Sequence, residues 1–313
     1  MLSVIICTHN PREDYLHRTL EGLKGQSQPR ANWELLLIDN HSDQLLSMRF
    51  DLSWHPNGRI VREEELGLTP ARLRGVQESR SELLIFVDDD NVLAPDYLSL
   101  AVEISAAHPN LGTWGGQSIP EFEGIPPADC SEIVGCLAIR QFDRDEWGNG
   151  AITHPPVGAG MCVRRPVAEA YAKAMDNDPL RRRLDRKGNS LISSGDRDIV
   201  QTGLDQGTGT GAFTRLKLVH LIAARRCTGE YLHRLAVNCY ASSHLMNQLR
   251  GGSSSGDPRT FKRRAWAAFV AKVETMMASP ARRRLLRVEA EAKVLAEHTL
   301  REWRSEPAAS NAI

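Results

Sequence analysis

Leu83-Leu84-Ile85-Phe86-Val87-Asp88-Asp89-Asp90-Asn91 joins five consecutive apolar residues to three carboxylates and an amide. Short runs rich in Ile, Val and Leu are typical of strands that are buried on both faces of a parallel sheet. The ligand crevice of such a sheet lies at the carboxyl ends of its strands. The stretch therefore predicts a buried strand that delivers carboxylates to a functional edge. Because side chains alternate along an extended chain, Asp88 and Asp90 should point one way and Asp89 the other.

Three adjacent carboxylates repel one another unless a cation or hydrogen-bond donors compensate their charge. A hard divalent ion such as Mg²⁺ or Mn²⁺, bound also to the phosphates of a substrate, would compensate it. The alternative is a solvated acidic turn before a helix that begins near Pro95.

Alternating strands and helices are predicted around this stretch. Further apolar runs at residues 2–7 and 35–38 predict strands, and amphipathic segments at 13–24 and 70–78 predict helices. For the second helix we expect Thr69 to cap the free amides of the first turn and Pro70 to occupy the first helical position. Alternation of this kind predicts an open α/β sheet over about the first 110 residues.

The second half of the chain is less regular. Residues 111–156 contain Gly115-Gly116 and scattered prolines, which predict surface loops around a cleft. Beyond them the patterns predict strands at 161–164 and 213–222, helices at 166–175 and 196–203, and a flexible linker at 251–256. Residues 260–303 read as two charged amphipathic helices broken near Ser279-Pro280, and we expect them to form a separate unit.

The chain has 313 residues, of which 41% are hydrophobic and 25% charged. These fractions are close to the globular average and exclude a collagen, a disordered tail and a low-complexity array. Its six cysteines include no Cys-x-x-Cys pair, so reduced thiols are expected. We find no signal-peptide pattern and no apolar run near the ~18 residues that span a bilayer, so a cytoplasmic location is the expectation.

The charge of the chain is balanced only as an average. Lys plus Arg and Asp plus Glu number 39 each, which argues against a nucleic-acid partner. Residues 1–150 hold 12 basic against 24 acidic side chains (net −12), and residues 151–313 hold 27 against 15 (net +12). Either the halves attract each other and present solvated helix faces, or the basic half faces an anionic acceptor such as a lipid diphosphate at a membrane surface.

Polar side chains also follow the first two predicted strands. Asp39 ends the second strand, where it could accept from a base imide or a ribose hydroxyl, although Asp39-Asn40-His41-Ser42 is equally good turn chemistry. The first strand ends at Thr8-His9-Asn10-Pro11. No Gly-x-Gly-x-x-Gly follows it, which excludes a dinucleotide-binding fingerprint there.

Two segments of the second half suit a cleft. Ser193-Ser194-Gly195-Asp196-Arg197-Asp198 is either a capped helix start with favourable acidic residues or a general base held at a helix N-terminus. Gly158-Ala159-Gly160-Met161 either lets backbone approach a ligand or forms a tight turn into a strand.

In this order the segments resemble the family-2 inverting glycosyltransferases of GT-A fold, from about residue 2 to about residue 235. The resemblance rests on residues 3–10, 37–42, 67–72, 86–91, 158–161 and 195–198. It implies an α/β fold, an open and mostly parallel twisted sheet flanked by helices. Residues 1–110 would be its nucleotide-sugar-binding half, 111–250 its acceptor-binding and catalytic-base half, and 257–304 a C-terminal helical extension.

The resemblance also implies roles for single residues. Asp196 would be the catalytic base, although Gly195 stands where the family's Glu-Asp pattern has Glu. Asp90, with Asp88, would bind Mg²⁺ or Mn²⁺ as in the family's DXD motif. The donor-binding residues would be Thr8, Asn10, Asp39, Arg72, Asp88 and Asp89, with weaker assignments for His220, Arg226, Gly160 and Asp198.

The implied reaction moves one sugar from a nucleotide-diphospho-sugar, most often a UDP-sugar, to a saccharide, lipid-linked or other hydroxyl acceptor. A single in-line displacement with an Asp base would invert the anomeric carbon. The Gln-x-x-Arg-Trp signature of processive synthases is absent, which favours one transfer per encounter. Peripheral association with an anionic membrane and a homodimer through the C-terminal helices are further expectations.

Two other functions stay open on the sequence. A catalytically degenerate glycosyltransferase-like scaffold in a polysaccharide or glycoconjugate assembly complex is favoured by Gly195. A sugar-nucleotide pyrophosphorylase would share the sheet, but its first strand should lead into a phosphate loop rich in glycine and arginine, which Thr8-His9-Asn10-Pro11 is not.

Overall fold

The computed structural model describes residues 1–251 and 279–306. Its strands are β1 (Leu2–Thr8), β2 (Trp33–Asn40), β3 (Gly58–Glu63), β4 (Leu83–Asp88), β5 (Asn91–Leu93), β6 (Leu111–Phe122), β7 (Glu146–Gly148), β8 (Met161–Arg164) and β9 (Gly209–Ile222). Its helices are α1 (Glu13–Lys24), α2 (Leu68–Glu78), α3 (Tyr97–Ala107), α4 (Arg165–Asn177), α5 (Gly195–Asp205), α6 (Gly229–Leu249) and α7 (Pro280–Ser305). Short 3-10 turns lie at Arg30–Asn32, Leu46–Met48, Ala128–Cys130, Val134–Leu137, Arg181–Arg183 and Ala224–Cys227.

One sheet runs in the order β3-β2-β1-β4-β8-β6-β9-β5, and β7 pairs with β9. β1 lies parallel to both β2 and β4, and β2 lies parallel to β3. The register pairs Thr8 with Asp39 and Cys7 with Asp88. The polar ends of these strands therefore lie side by side at one edge of the sheet.

Apolar side chains on both faces of β1 pack against helices, so the sheet lies between two layers of helices. Val4 and Ile6 pack with α1 and α3 on one face, whereas Ile5 packs with α2, α4 and α5 on the other. Full burial of each such side chain contributes roughly 1.5–3 kcal/mol to stability. This packing confirms the predicted α/β class and the strands at residues 2–7, 35–38 and 83–87.

The interpretation of residues 111–156 as loops was wrong for β6, which is a twelve-residue strand. β6 pairs parallel with β9 and antiparallel with β8. Gly115-Gly116 suggested a loop, but the register shifts at this point and a Cβ on Gly116 would lie 2.1 Å from the backbone oxygen of Leu216. Glycine at this position permits the close approach of two strands. In the sequence, such a glycine pair looks the same as one that forms a turn.

The predicted cap of α2 was also wrong. The helix begins at Leu68 after Gly67, whose φ is 142°, and the buried hydroxyl of Thr69 has no hydrogen-bond partner among the described residues. The free amide of Leu68 donates instead to the carbonyl of Arg186, at 2.9 Å. A contact from a distant segment therefore satisfies the helix start.

The C-terminal helix is not a separate unit in the part that the structure describes. α7 packs along α6, and Leu285, Val288 and Leu245 belong to one buried cluster. The start of the second predicted helix is confirmed, because α7 begins at Pro280 with the Ser279 hydroxyl accepting from the Arg282 amide. The first of the two predicted helices, before residue 279, lies outside the described residues, and the 21-residue helix α6 was not predicted.

Ion pairs cross between the acidic and the basic half. They include Arg182–Glu65, Arg215–Glu103, Arg284–Asp129 and Arg226–Asp90. The first three pairs are partly exposed and contribute roughly 0–1 kcal/mol each, whereas the Arg226–Asp90 pair is largely buried. They support the first reading of the charge pattern, attraction between the halves. Of the helices in residues 1–251 and 279–306, none is long and apolar enough to cross a bilayer.

Candidate active site

A cleft of about 740 Å³ opens at the carboxyl ends of β1 and β4. Its volume is within the range of small-ligand sites, roughly 300–1,000 Å³. Of the residues singled out in the sequence, it is lined by Thr8, Arg72, Asp88, Asp89, Asp90, Gly158, Asp196, His220 and Arg226. These residues come from both halves of the chain, and the fold brings them into one concave surface.

Asp88, Asp89 and Asp90 all line this cleft. The expected alternation, with Asp89 pointing away, was wrong because β4 ends at Asp88 and the chain turns through Asp89 and Asp90 before β5. The Thr8 hydroxyl donates to the Asp89 carboxylate, which joins the end of β1 to this turn. The Asp88 amide donates to Oδ1 of Asn91 at 3.2 Å and fixes the turn from its other side.

The pKa shifts of the three carboxylates differ in direction. Burial, followed by the charge of Asp90, raises the pKa of Asp88 and raises that of Asp89 to about 7. Burial alone would raise the pKa of Asp90 too, but a hydrogen bond and positive charge from His220, followed by the charge of Arg226, lower it. Asp90 is therefore the most firmly ionised of the three.

His220 and Arg226 lie against Asp90. Oδ2 of Asp90 is 2.9 Å from Nη1 of Arg226 and 3.3 Å from Nε2 of His220. The pairing of Asn91 with His220 between β5 and β9 brings the imidazole there, and the 3-10 turn after β9 brings the guanidinium. Nδ1 of His220 and Nε of Arg226 are buried without a hydrogen-bond partner among the described residues.

The donor set at Asp88 and Asp90 fits a hard divalent cation shared with a ligand. No group in residues 1–251 or 279–306 donates a hydrogen bond to the Asp88 carboxylate, although this carboxylate lines the cleft beside Asp90. The described residues contain no cluster of three or more His, Cys, Asp or Glu side chains suited to a metal ion. Two carboxylates with phosphate oxygens from a substrate are the usual ligand set of Mg²⁺.

Asp196 lies in the first turn of α5 and lines the same cleft as the Asp88–Asp90 turn. Its Oδ2 accepts from the amide of Gly158 at 3.1 Å, and its Oδ1 accepts from the amide of Arg197 at 2.7 Å. The side chain is half-buried and lines the cleft. Each oxygen keeps a lone pair that can accept a proton from a ligand.

Arg72 lines the cleft and forms an ion pair with Asp185. Its guanidinium, 5% exposed, donates to Oδ2 of Asp185 at 2.6 Å. Burial alone would lower its pKa, but the carboxylates of Asp185 and Asp196 raise it. Contact of Arg72 with a donor nucleotide stays a prediction, and Asp185 was not singled out in the sequence.

Asp39 and Asn10 do not line the cleft. Asp39 is 2% exposed, and its carboxylate accepts from the amides of Ser42 and Leu46 at 3.1 Å each and pairs with Arg62 at 3.0 Å. Asn10, with a φ of 48°, bonds to Asp43 and Ser42 and so joins the loops after β1 and β2. Their roles at the nucleotide stay predictions, while the observed contacts stabilise the loops.

Gly160 and Asp198 also lie away from the cleft lining. The carbonyl of Gly160 accepts from the Tyr97 hydroxyl at 2.6 Å, and its φ of 74° turns the chain into β8. Asp198 is fully buried and pairs with Arg181 and Arg250. Both have a structural role in the described contacts.

We predict that Asp39→Asn lowers the free energy of unfolding by about 1–3 kcal/mol at neutral pH, because a buried amide would be left badly paired. Burial would raise the pKa of Asp39, but hydrogen bonds from Leu46 and Ser42 and the contact with Arg62 lower it. A lowered folded-state pKa gives stability that is present above the unfolded pKa, about 3.9, and is lost as the pH falls through the folded value.

Denaturant unfolding of both proteins between neutral pH and pH 3 measures this effect. The difference in unfolding free energy should shrink on acidification; a difference independent of pH would contradict the assignment. Asp43→Asn removes an exposed carboxylate from the same loop and should change stability little. Nucleotide affinity of Asp39→Asn, measured alongside, tests the predicted contact with the base.

Several lining residues escaped the sequence analysis. They are Glu132, Arg140, Arg186, Tyr240 and Ser243. Each belongs to a loop or to the unpredicted helix α6, and no local pattern marks them. A signal near Arg186 is the run of three arginines at 181–183. That run by itself indicates only a basic surface and not a cleft residue.

Comparison with known proteins matches residues 3–151 to the sequence profile described as glycosyl transferase family 2. An uncharacterised protein of Sinorhizobium fredii is 32% identical over 241 residues, which are 75% of this chain and 26% of that protein. The glycosyltransferase AglE of Haloferax volcanii is 27% identical over 92 residues, 28% of this chain and 30% of AglE. The chain thus spans about a quarter to a third of the length of these relatives.

The solved structure of the mannosyltransferase PcManGT from Pyrobaculum calidifontis, in complex with GDP-Man and Mn²⁺, has a TM-score of 0.59 to this chain. The two are 16% identical, and the match covers 97% of this chain and 88% of that one. At this identity the likeness shows the fold alone, and it confirms the predicted GT-A architecture.

Proposed function

Since this chain carries a family-2 glycosyltransferase domain of GT-A fold, we propose that it transfers one sugar per encounter from a nucleotide-diphospho-sugar, first a UDP-sugar, to an acceptor hydroxyl. The observation that supports this most is that two acidic groups from different parts of the chain line one cleft: Asp88 to Asp90 after β4, and Asp196 in α5. The first suits a diphosphate bound through a cation, and the second suits the proton of an attacking hydroxyl.

At the end of β4, Asp88 and Asp90 would hold Mg²⁺ or Mn²⁺. A cation bound there would supply electrostatic stabilisation of the departing diphosphate. Arg226, which pairs with Asp90 and lines the cleft, adds a positive charge that would favour the diphosphate. Thr8 holds Asp89 and so keeps the turn in place while the nucleotide binds.

At the start of α5, Asp196 accepts the proton of the acceptor hydroxyl as its oxygen attacks the anomeric carbon from the face opposite the diphosphate. The Gly158 amide orients the carboxylate through Oδ2. One displacement of this kind inverts the anomeric configuration. Residues 132–140 border the same cleft and help to exclude water that would hydrolyse the donor.

Arginines also line the cleft, which supports an anionic or lipid-linked saccharide acceptor. They are Arg140, Arg186 and Arg197, and none pairs with a carboxylate among the described residues. The exposed arginines of α7 at 282, 283 and 287 support peripheral binding to an anionic membrane, which flotation with anionic vesicles at low salt measures. A homodimer through the C-terminal helices belongs to the same proposal, and light scattering measures it.

A thermal-shift screen of UDP, GDP and dTDP with Mn²⁺, followed by transfer assays with the matching sugar donors, tests the proposal. A ligand that binds only the folded state raises the unfolding temperature, and it should do so more with Mn²⁺ than with EDTA. Binding without turnover of any donor would favour the degenerate scaffold, and turnover of a sugar phosphate with a nucleoside triphosphate would favour the pyrophosphorylase.

A further inference from the structure

Arg72, which lines the cleft, forms a buried ion pair with Asp185. Nη1 of Arg72, in α2, is 2.6 Å from Oδ2 of Asp185, and the side chains are 5% and 2% exposed. A buried charge is costly unless it is paired, so each of the two side chains depends on the other. Burial also raises the pKa of Asp185 to about 6.

The backbone around Asp185 ties two helix starts together. The carbonyl of Arg186 accepts from the amide of Leu68 in α2 at 2.9 Å. The carbonyl of Leu184 accepts from the amide of Ser194, just before α5, at 2.7 Å. Residues 184–186 therefore hold the Asp185 carboxylate between Arg72 on one helix and Asp196 on the other.

Two glycines separate the ion pair from Asp196. A Cβ on Gly195 would lie 2.2 Å from Oδ2 of Asp185 and 3.0 Å from Nη1 of Arg72. A Cβ on Gly158 would lie 2.5 Å from Nη2 of Arg72. Gly195 precedes Asp196 in the chain, and the amide of Gly158 donates to its Oδ2. Both backbone supports of Asp196 thus rest directly on the Arg72–Asp185 pair.

We propose that Asp185, through Arg72, is the positioning residue of Asp196, and that its carboxylate fills the space of the side chain that position 195 lacks. The acid that the family pattern has before the base comes here from a different part of the chain. Gly195 is then a requirement of the site and no sign of lost activity. This inference rests on the proposed transferase function.

An exchange of the two positions tests it. We expect Gly195→Glu alone to lose stability and activity, because its Cβ meets the Asp185 carboxylate, and Asp185→Gly to lower kcat by about 10²-fold through misplacement of Asp196. The double variant Asp185→Gly/Gly195→Glu should recover at least ~10-fold in kcat over either single variant, with the KM for the donor close to parental in all. Asp185→Gly/Gly195→Gln is the matched control: it restores volume but leaves Arg72 without a charged partner, so it should recover less of both the unfolding temperature and kcat than the Glu variant.

A double variant no more active than Asp185→Gly, or a Gln control as active as the Glu variant, would overturn the proposal. Should Asp185→Gly fail to fold, Asp185→Asn keeps the shape, and an unchanged kcat with only a lowered unfolding temperature would make the pair a stability element alone. If the parent transfers no sugar, the transferase function fails separately. In that case the unfolding temperatures of the variants test the packing. If the unfolding temperature of the double variant does not recover, Asp185 does not fill the space beside position 195.

Discussion

Asp196→Asn should lower the rate of sugar transfer by about 10²–10⁴-fold, the usual contribution of a positioned general base. The amide cannot accept the hydroxyl proton, yet it can keep the contact with the Gly158 amide. Donor binding should therefore stay close to that of the parent. Single-turnover transfer assays and calorimetric titration with the nucleotide measure the two properties separately.

Asp205→Asn, at the exposed end of the same helix, is the matched control for this prediction. Asp205 pairs with Arg250 and Gln201, away from the cleft lining. Asp205→Asn removes one negative charge from α5, as Asp196→Asn does, and should leave the rate of transfer unchanged. Transfer by Asp196→Asn at the parental rate would show that another group takes the proton.

Asp90→Ala should abolish the part of nucleotide affinity that depends on the divalent ion, a loss of about 10²-fold or more in kcat/KM for the donor. Asp90 is the most firmly ionised member of the carboxylate turn, and its removal also leaves His220 and Arg226 without their anion. Calorimetry with nucleoside diphosphate in Mn²⁺ and in EDTA measures the dependence directly.

For Asp90→Ala, affinity in EDTA should resemble that of the parent in EDTA. Affinity that still rises with Mn²⁺ as in the parent would exclude Asp90 as a ligand. Asp96→Ala removes an exposed carboxylate six residues along the chain, just before α3, and should leave the effect of Mn²⁺ intact. Circular dichroism separates loss of the site from loss of the fold.

The parallel half of the fold could be predicted because its signals are local. Apolar runs at β1, β2 and β4 are buried on both faces and end in polar residues, so the cleft edge with Thr8 and Asp88–Asp90 follows from the strand pattern alone. Asp196 could be singled out because an acidic residue follows Ser and Gly at a helix start. These predictions depend on neighbours within a few residues.

The remainder depends on contacts between distant segments. Arg72 and Asp185 are 113 positions apart, and nothing local shows that their side chains meet. The glycines of β6 indicated a loop because their role is set by β9, a strand nearly a hundred residues later. From the local sequence, Thr69 was predicted to cap α2. This cap is not used, because the Leu68 amide at the start of the helix donates to the carbonyl of Arg186.

The strand order has a consequence for how this protein can be divided. β8 lies between β4 and β6, and β9 lies between β6 and β5, so residues beyond 160 fill the middle of the sheet that the first 151 residues begin. A fragment that ends at residue 151 would leave one edge of β4 open and invite association with other chains. The segment that matches the family profile is thus smaller than the unit that folds. Asp196 lies in the folding unit but outside the matched segment.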